Sequence, residues 1–426
     1  MSKDIGKKES RKRREEKADK QDVEVLVQTV EKASKHKAKK EPKHKADKAR
    51  TKSAEKKLNH KAEKLPKHKA AKALKQNTEK PFKNSSGKEP KNSRGSKTSN
   101  ARSDRDPVAI IEQTNIGRDQ LLVPTRHSRM LVSPFSFYRG AAAIMANDLA
   151  LEESSGIIVQ SCGDCHILNF GAFATPERNI IVDFNDFDET HPAPFEWDLK
   201  RLAASFVTAA NVVGISGKVA EKAAFELTRS YQEEMAKHAK GRLLDVWFSK
   251  LELQTLIDNA DKEDRERVKK QLSKELTKST PEVLHQKLTE KKNGSWRFKE
   301  IPPLLYHVQD IDMKNVRSGY DLYLQSLSAD KQALLKHFEI VDIARKVVGT
   351  GSVGTFCAVA LLVSGNDDLL VLQVKEARSS VLEPYLEACK FENHGERVVT
   401  GQRIMQSASD MFLGWTKGKN GRHFYL

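Results

Sequence analysis

Between Ile340 and Ala377 the chain reads IVDIARKVVGTGSVGTFCAVALLVSGNDDLLVLQVKEA, and no other stretch limits its fold as tightly. Gly349-Thr350-Gly351-Ser352-Val353-Gly354 is a G-x-G-x-x-G. In a dinucleotide fold such a run opens a helix at its third glycine. Here it continues as Phe356 to Val363, an apolar run without helical periodicity that reads as a strand. Ser364-Gly365-Asn366-Asp367-Asp368 is a turn, and Leu369 to Lys375 is a further strand. The glycines therefore join two strands. Gly349, Gly351, Ser352 and Gly354 become candidate phosphate-binding residues, with Lys375 beside them. An exposed strand lysine is the ordinary alternative, but its place in an apolar run favours a pairing role.

A second stretch, Cys162 to Asp198 (CGDCHILNFGAFATPERNIIVDFNDFDETHPAPFEWD), carries the acids. Asp164 precedes Asn169 by five positions, and the strand Ile180-Ile181-Val182 delivers Asp183. In a kinase centre a loop Asp accepts the substrate proton, an Asn five residues later binds metal, and a strand-end Asp binds it again. Such chemistry needs a cation because phosphate oxygens carry charge that only metal and fixed dipoles offset. Two ordinary loops flanking a strand would give the same spacing, since Asp and Asn are common turn residues.

Around these stretches the periodicity predicts helices over 135–152, 194–213, 217–260, 262–292 and 395–411, with a short strand at 157–159. Asp198 falls in the first turn of the second helix, where its carboxylate is expected to brace the Asp164 loop. Ile301-Pro302-Pro303 interrupts the pattern. Glu383 and Glu396 are both candidates for an ion pair with Lys375.

Charge divides the chain. Residues 1–106 hold 35 Lys and Arg against 16 Asp and Glu, a net +19, whereas the remaining 320 hold 40 against 42. With Phe82 as its one aromatic, this Lys-rich tail cannot bury enough apolar surface to offset ordering, and it reads as disordered. Only 22–34 shows a helical stripe. The tail is expected to bind nucleic acid or polyphosphate non-specifically through counterion release. Four cysteines, Cys162, Cys165, Cys357 and Cys389, are too few for a secreted disulfide scaffold. No apolar leader or membrane span is visible, so a reducing cytoplasm is expected. Cys162 and Cys165 form a single C-x-x-C, for which a redox or zinc role is the alternative reading.

The motifs of a kinase site are both present, but the Asp-Asn-Asp half precedes the glycine-loop half. SPFSFYRGAA, CGDCHILNFG, IVDFNDFDET, PFEWDLKRLAAS, VGTGSVGT, LQVKEARSSVLEPY and QRIMQSASDMFLGWT together resemble the uncharacterised domain of unknown function 2252 family, grouped with the kinase-like folds. GDCHILN and VDFNDFDE are more distantly similar to motifs of aminoglycoside and choline phosphotransferases, with Cys162 standing where those carry His. The resemblance implies an α+β, kinase-like two-lobe fold in circularly permuted order. A helical large lobe would span 107–340 and a β-rich small lobe 341–426, short of the family pattern at its C-terminus. It implies Asp164 as base, His166 orienting its loop, Asn169 and Asp183 as metal ligands and Asp186 as a supporting acid. ATP and Mg²⁺ are the implied cofactors, and the phosphoacceptor is left open. A nucleotide-binding pseudoenzyme or scaffold, and an AMP-transferring enzyme, are the alternative readings.

Overall fold

The computed structural model describes residues 105–260, 265–266, 269, 281–308, 313–347, 349 and 351–426. The basic tail up to residue 104, with its 22–34 stripe, lies outside them, as does most of the charged stretch after 260. Helices and sheet are mixed in an α+β architecture.

Four short helices come first: α1 (Pro107–Asn115), α2 (Val123–Met130), α3 (Pro134–Gly140) and α4 (Ala142–Leu149). Asp106 caps α1 by accepting from the amides of Val108 and Ala109, and Ser133 caps α3 through the amide of Ser136. The single helix expected over 135–152 is thus two, broken at Ala141. The Gly140 carbonyl accepts from Arg126 Nη2 at 2.9 Å, and a Cβ on Gly140 would lie 2.6 Å from Met130.

Strand β1 (Ile158–Ser161) pairs with β4 (His191–Pro194), and between them β2 (Phe170–Ala174) and β3 (Ile180–Phe184) form a hairpin. From Pro194 the chain enters α5 (Phe195–Val212), as its pattern predicts, and then α6 (Gly217–His238). The helix expected to run to 260 stops at His238 and resumes only as α7 (Leu243–Trp247) and α8 (Leu253–Asn259). Of the stretch expected as a helix over 262–292, the described residues include α9 (Pro281–Leu288). There the chain turns into a hairpin, β5 (Thr289–Lys292) with β6 (Ser295–Phe298). Asn293 and Gly294 take φ of 51° and 80°, the Asn-Gly turn that joins two strands with matching twist.

One sheet of six strands has the order β11-β12-β10-β9-β8-β7. Its members are β7 (Leu305–Tyr306), β8 (Phe338–Lys346), β9 (Cys357–Ser364), β10 (Leu369–Ala377), β11 (Trp415–Lys417) and β12 (His423–Tyr425). The strands expected either side of the glycines and the 364–368 turn are β8, β9 and β10. Successive side chains of β9 point to opposite faces and are buried on both through Leu362. Ala360 and Leu362 pack with Tyr323, Leu327 and Leu335 of α10 (Met313–Gln325), α11 (Ala329–Leu335) and the turn between them. Val359 and Leu361 pack with Phe298 and Leu305 on the other face. Helix α12 (His394–Met405) ends six residues before the expected 411, because Gln406 turns extended and donates Nε2 to the Phe184 carbonyl at 2.6 Å. The largest core gathers Phe135, Ile167, Phe187, Phe206, Val398, Val399 and Tyr425, and so ties the Asp loop to α5, α12 and β12. Among the described residues no helix is long and apolar enough to cross a membrane.

Candidate functional site

The loop from Cys162 to Asn169 is held almost entirely by one face of α5. Asp198 accepts from the Cys162 amide at 2.8 Å and the Gly163 amide at 3.0 Å, the bracing role expected of it. One turn on, Arg201 grips Asp164: its Nε lies 2.5 Å from Oδ1, and its Nη2 bridges the same oxygen. A further turn brings Ser205, whose Oγ accepts from the Ile167 amide at 3.0 Å. Residues three and four apart share a helix face, so this set follows from the sequence once α5 is placed. Gly163, at φ +84°, is forced by contact, since a Cβ there would lie 2.1 Å from the Glu189 carbonyl oxygen.

Burial raises the Asp164 carboxyl above the ordinary range, and the Arg201 charge offsets part of that rise. Asn169 is 5% exposed and donates Nδ2 to the Asp164 carbonyl at 2.6 Å, leaving its Oδ1 as the atom able to take a cation. His166 is buried, and burial followed by Arg139 and Arg201 depresses its pKa well below the usual value. It is therefore a neutral ring that helps shape the loop.

The chain returns at 186–189 with Asp186, Asp188 and Glu189. Lys375 on β10 reaches this run across 189 residues of sequence, with Nζ 3.5 Å from Asp186 Oδ1 and 3.4 Å from both oxygens of Asp188. Tyr425 of β12 donates its hydroxyl to Asp188, and its ring lies under the same ammonium, 5.5 Å away. Burial opposes the Lys375 charge, but Asp186 and Asp188 outweigh it, and the lysine stays protonated. Arg397 of α12, 2% exposed, fastens the run from behind through the carbonyls of Asp188 and Thr190.

A cavity of about 330 Å³ brings the two halves together. Asp164, His166, Asn169, Asp186, Gly349, Gly351 and Ser352, all singled out from the sequence, line it. Asp188, Glu189, Glu376, Arg118, Arg126, Arg139 and Arg378 line it as well. Burial lifts Glu189 to about 7, against the pull of the Val381 amide bonded to it.

Four expectations are corrected. Asp183 does not line the cavity; its Oδ2 accepts from the amide and hydroxyl of Ser407 at 3.0 and 3.2 Å. Asp186 and Asp188 line the cavity together with Asn169. Lys375 pairs with those two acids, and neither Glu383 nor Glu396 is its partner: Glu383 accepts from the Cys389 amide, and Glu396 lies in the first turn of α12. Gly354, at φ +90°, is covered by Arg118 and does not line the cavity. Lys375 sits behind the acids and outside the lining.

The glycine segment is pinned from the N-terminal helices. The Asp119 amide donates to the Gly354 carbonyl at 2.8 Å, Arg118 Nη1 to Val353 at 2.7 Å, and Arg129 Nη1 to Gly349 at 3.1 Å. Sequence reading missed Arg118, Arg126, Arg139, Arg378 and Arg397, which act across long separations and obey no local spacing. Asp188 was visible in the D-F-D-E run.

Asp186, Asp188 and Asn169 offer hard oxygen donors of the kind Mg²⁺ takes. Cys162, Cys165 and Asp198 form the one cluster of metal-ligating His, Cys, Asp or Glu side chains among the described residues, within 4.8 Å of one another. Both carboxylate oxygens of Asp198 already serve backbone amides there, and the cysteines are buried behind the loop.

Fold and site together define an α+β protein with a polar cavity built from an acidic loop, a glycine-rich connection between strands, and arginines. The chain belongs to a family described as uncharacterized protein conserved in bacteria (DUF2252), whose model matches residues 118–426. No curated protein and no solved structure matches it.

Proposed function

We propose that this chain is a kinase-like phosphotransferase with its two lobes in permuted order, using ATP and Mg²⁺. The observation that carries the reading is the meeting of Asp164, Asn169 and Asp186 with Gly349, Gly351 and Ser352 in one cavity. Two motif sets about 180 residues apart in sequence share this cavity, as one ligand that touches both would require. ATP would supply the phosphoryl group, and Mg²⁺ would neutralise charge on it.

Asp186, Asp188 and Asn169 Oδ1 would hold the cation. Lys375 would hold the two acids in place, while Tyr425 orients Asp188. The backbone at Gly349 and Gly351 can approach phosphate oxygens closely because no side chain intervenes. Asp164 would position the acceptor hydroxyl and take its proton, and Arg201 fixes the carboxylate for that task. Phosphoryl transfer demands little of a base, so positioning matters more than basicity.

Incubating the full chain with terminally labelled ATP, Mg²⁺ and metabolite pools tests this. A labelled product is expected from the wild type, with Asp186→Asn at least about a hundredfold slower. Should wild type bind ATP yet label nothing, the transferase reading is lost. The product's mass separates phosphoryl from AMP transfer.

A second reading, a nucleotide-binding scaffold, draws on the Arg201 grip that neutralises Asp164 and on the net +19 of residues 1–106. It expects an ATP-dependent rise in melting temperature without turnover. It also expects duplex DNA or polyphosphate binding that vanishes when 1–106 are removed.

A further inference from the structure

Arg118, Arg126 and Arg378 make their hydrogen bonds to uncharged oxygens, although Glu189 attracts Arg118 and Arg126 at longer range. Asp164 pairs with Arg201, Asp186 and Asp188 with Lys375, and Glu376 with Arg422 at 3.8 Å. Arg118, by contrast, donates to the carbonyls of Thr114 and Val353 at 2.9 and 2.7 Å. Arg126 donates to Asn115 Oδ1 at 2.7 Å and to the Gly140 carbonyl, and Arg378 to the Ile116 carbonyl. These partners are uncharged oxygens, which orient a guanidinium without neutralising it. Arg126 is 2% exposed, and its Nε makes no hydrogen bond. Burial, then the neighbouring charges of Arg126 and Arg378, depresses Arg118 to about 10. Arg118, Arg126 and Arg378 thus line a cavity of about 330 Å³ that Asp164, Asp186, Asp188, Glu189 and Glu376 line as well. Guanidiniums fixed in this way are suited to planar or tetrahedral oxyanions, which they bind through paired N–H donors.

We infer that Arg118, Arg126 and Arg378 bind an oxyanion carried by the acceptor, a phosphate or carboxylate group, so that the substrate is a small anionic molecule. The word acceptor rests on the phosphotransferase reading; the oxyanion site does not. In that reading the nucleotide phosphates are met by the cation on Asp186, Asp188 and Asn169 and by the glycine backbone. The arginines remain for a second anionic group.

The test is calorimetric titration of the full chain with inorganic phosphate. The tail is common to every variant, so the readout is the difference between wild type and Arg118→Gln/Arg378→Gln. Phosphate is expected to bind the double variant roughly tenfold more weakly or worse, with its circular dichroism and melting point unchanged. Equal binding overturns the oxyanion site. If the double variant does not fold, Arg378→Gln alone, at a half-buried position, is expected to weaken phosphate measurably, and no change overturns the site. Repeating the titration with a non-hydrolysable ATP analogue and Mg²⁺ at saturation identifies the anion's source. Phosphate is expected still to bind, and its displacement by the nucleotide overturns the assignment to the acceptor. If the analogue gives no binding heat, the phosphotransferase reading and the acceptor assignment fail together. The oxyanion site then stands or falls on the phosphate difference alone.

Discussion

The Asp loop and the glycine segment face the same cavity, yet they are held in different ways. Residues 162–169 are fixed by side chains of one helix, Asp198, Arg201 and Ser205, which begin only about thirty residues downstream. The glycine segment is fixed from Asp119, Arg118 and Arg129, more than two hundred residues upstream, through its own carbonyl oxygens. The first arrangement is buried and integral to the core. The second is a latch of three hydrogen bonds, of which the one from Arg129 is exposed. A latch can be undone without unfolding the protein, whereas the loop cannot be loosened without losing core contacts.

The sharpest way to break this contrast is at Arg201. Arg201→Met leaves Asp164 buried without its counter-charge, and a loss of about 3–5 kcal/mol in urea unfolding is expected. A loss below about 1 kcal/mol would mean that the loop is no more integral than the latch. Asp198→Ala removes the acceptor for two backbone amides and is expected to reduce stability by about 2–3 kcal/mol in the same assay. Arg129→Gln, at the glycine segment, is expected to change stability by no more than about 0.5 kcal/mol. Amide exchange over 349–354 should nevertheless quicken while that of 162–169 does not, as hydrogen-exchange mass spectrometry would register. Equal protection in both variants would remove the latch.

The smallest effect lies away from both loops, at His307, and serves as a control. Its Nε2 is 2.9 Å from Asp342 Oδ2, and its Nδ1 contacts Glu300. Burial lowers its pKa, but the two carboxylates outweigh burial, and the net shift is upward from 6.5. A pKa raised on folding stabilises fully below the unfolded value, and that stability is lost as pH rises through the folded value. Wild type is therefore expected to lose slightly more stability than His307→Gln when denaturation is followed upward from about pH 6. A parallel pH course in the two proteins would show that His307 contributes nothing.

These differences also explain what could be read from the chain. Strands β8 to β10, the start of α5 and the bracing by Asp198 follow from local periodicity and capping, which act over a few residues. Asp164, Asn169 and the glycines follow from spacing. The choice between Asp183 and Asp186 did not, because it depends on which carboxylate Ser407 claims from a distant turn. The partner of Lys375 was sought on α12, where the kinase analogy puts an acid, but α12 contributes Arg397 instead, and the acids come from the loop that follows β3. The hairpin at 289–298 lay hidden in a lysine-rich stretch that mimics a solvated helix, and its Asn293-Gly294 pair was the overlooked signal.

The contact between Tyr425 and Asp188 spans 237 positions, which sets an order of events during synthesis. At roughly 5–20 residues per second, the ribosome needs on the order of 10–50 seconds after making Asp188 to deliver Tyr425. For the first 187 of those positions Asp188 is without Lys375, and for all 237 it is without the tyrosine hydroxyl. The acidic loop can be shaped early by Asp198 and Arg201, but the side that meets Lys375 and Tyr425 is completed only once both have been made. A nascent fragment that stops short of them thus presents an unfinished cavity.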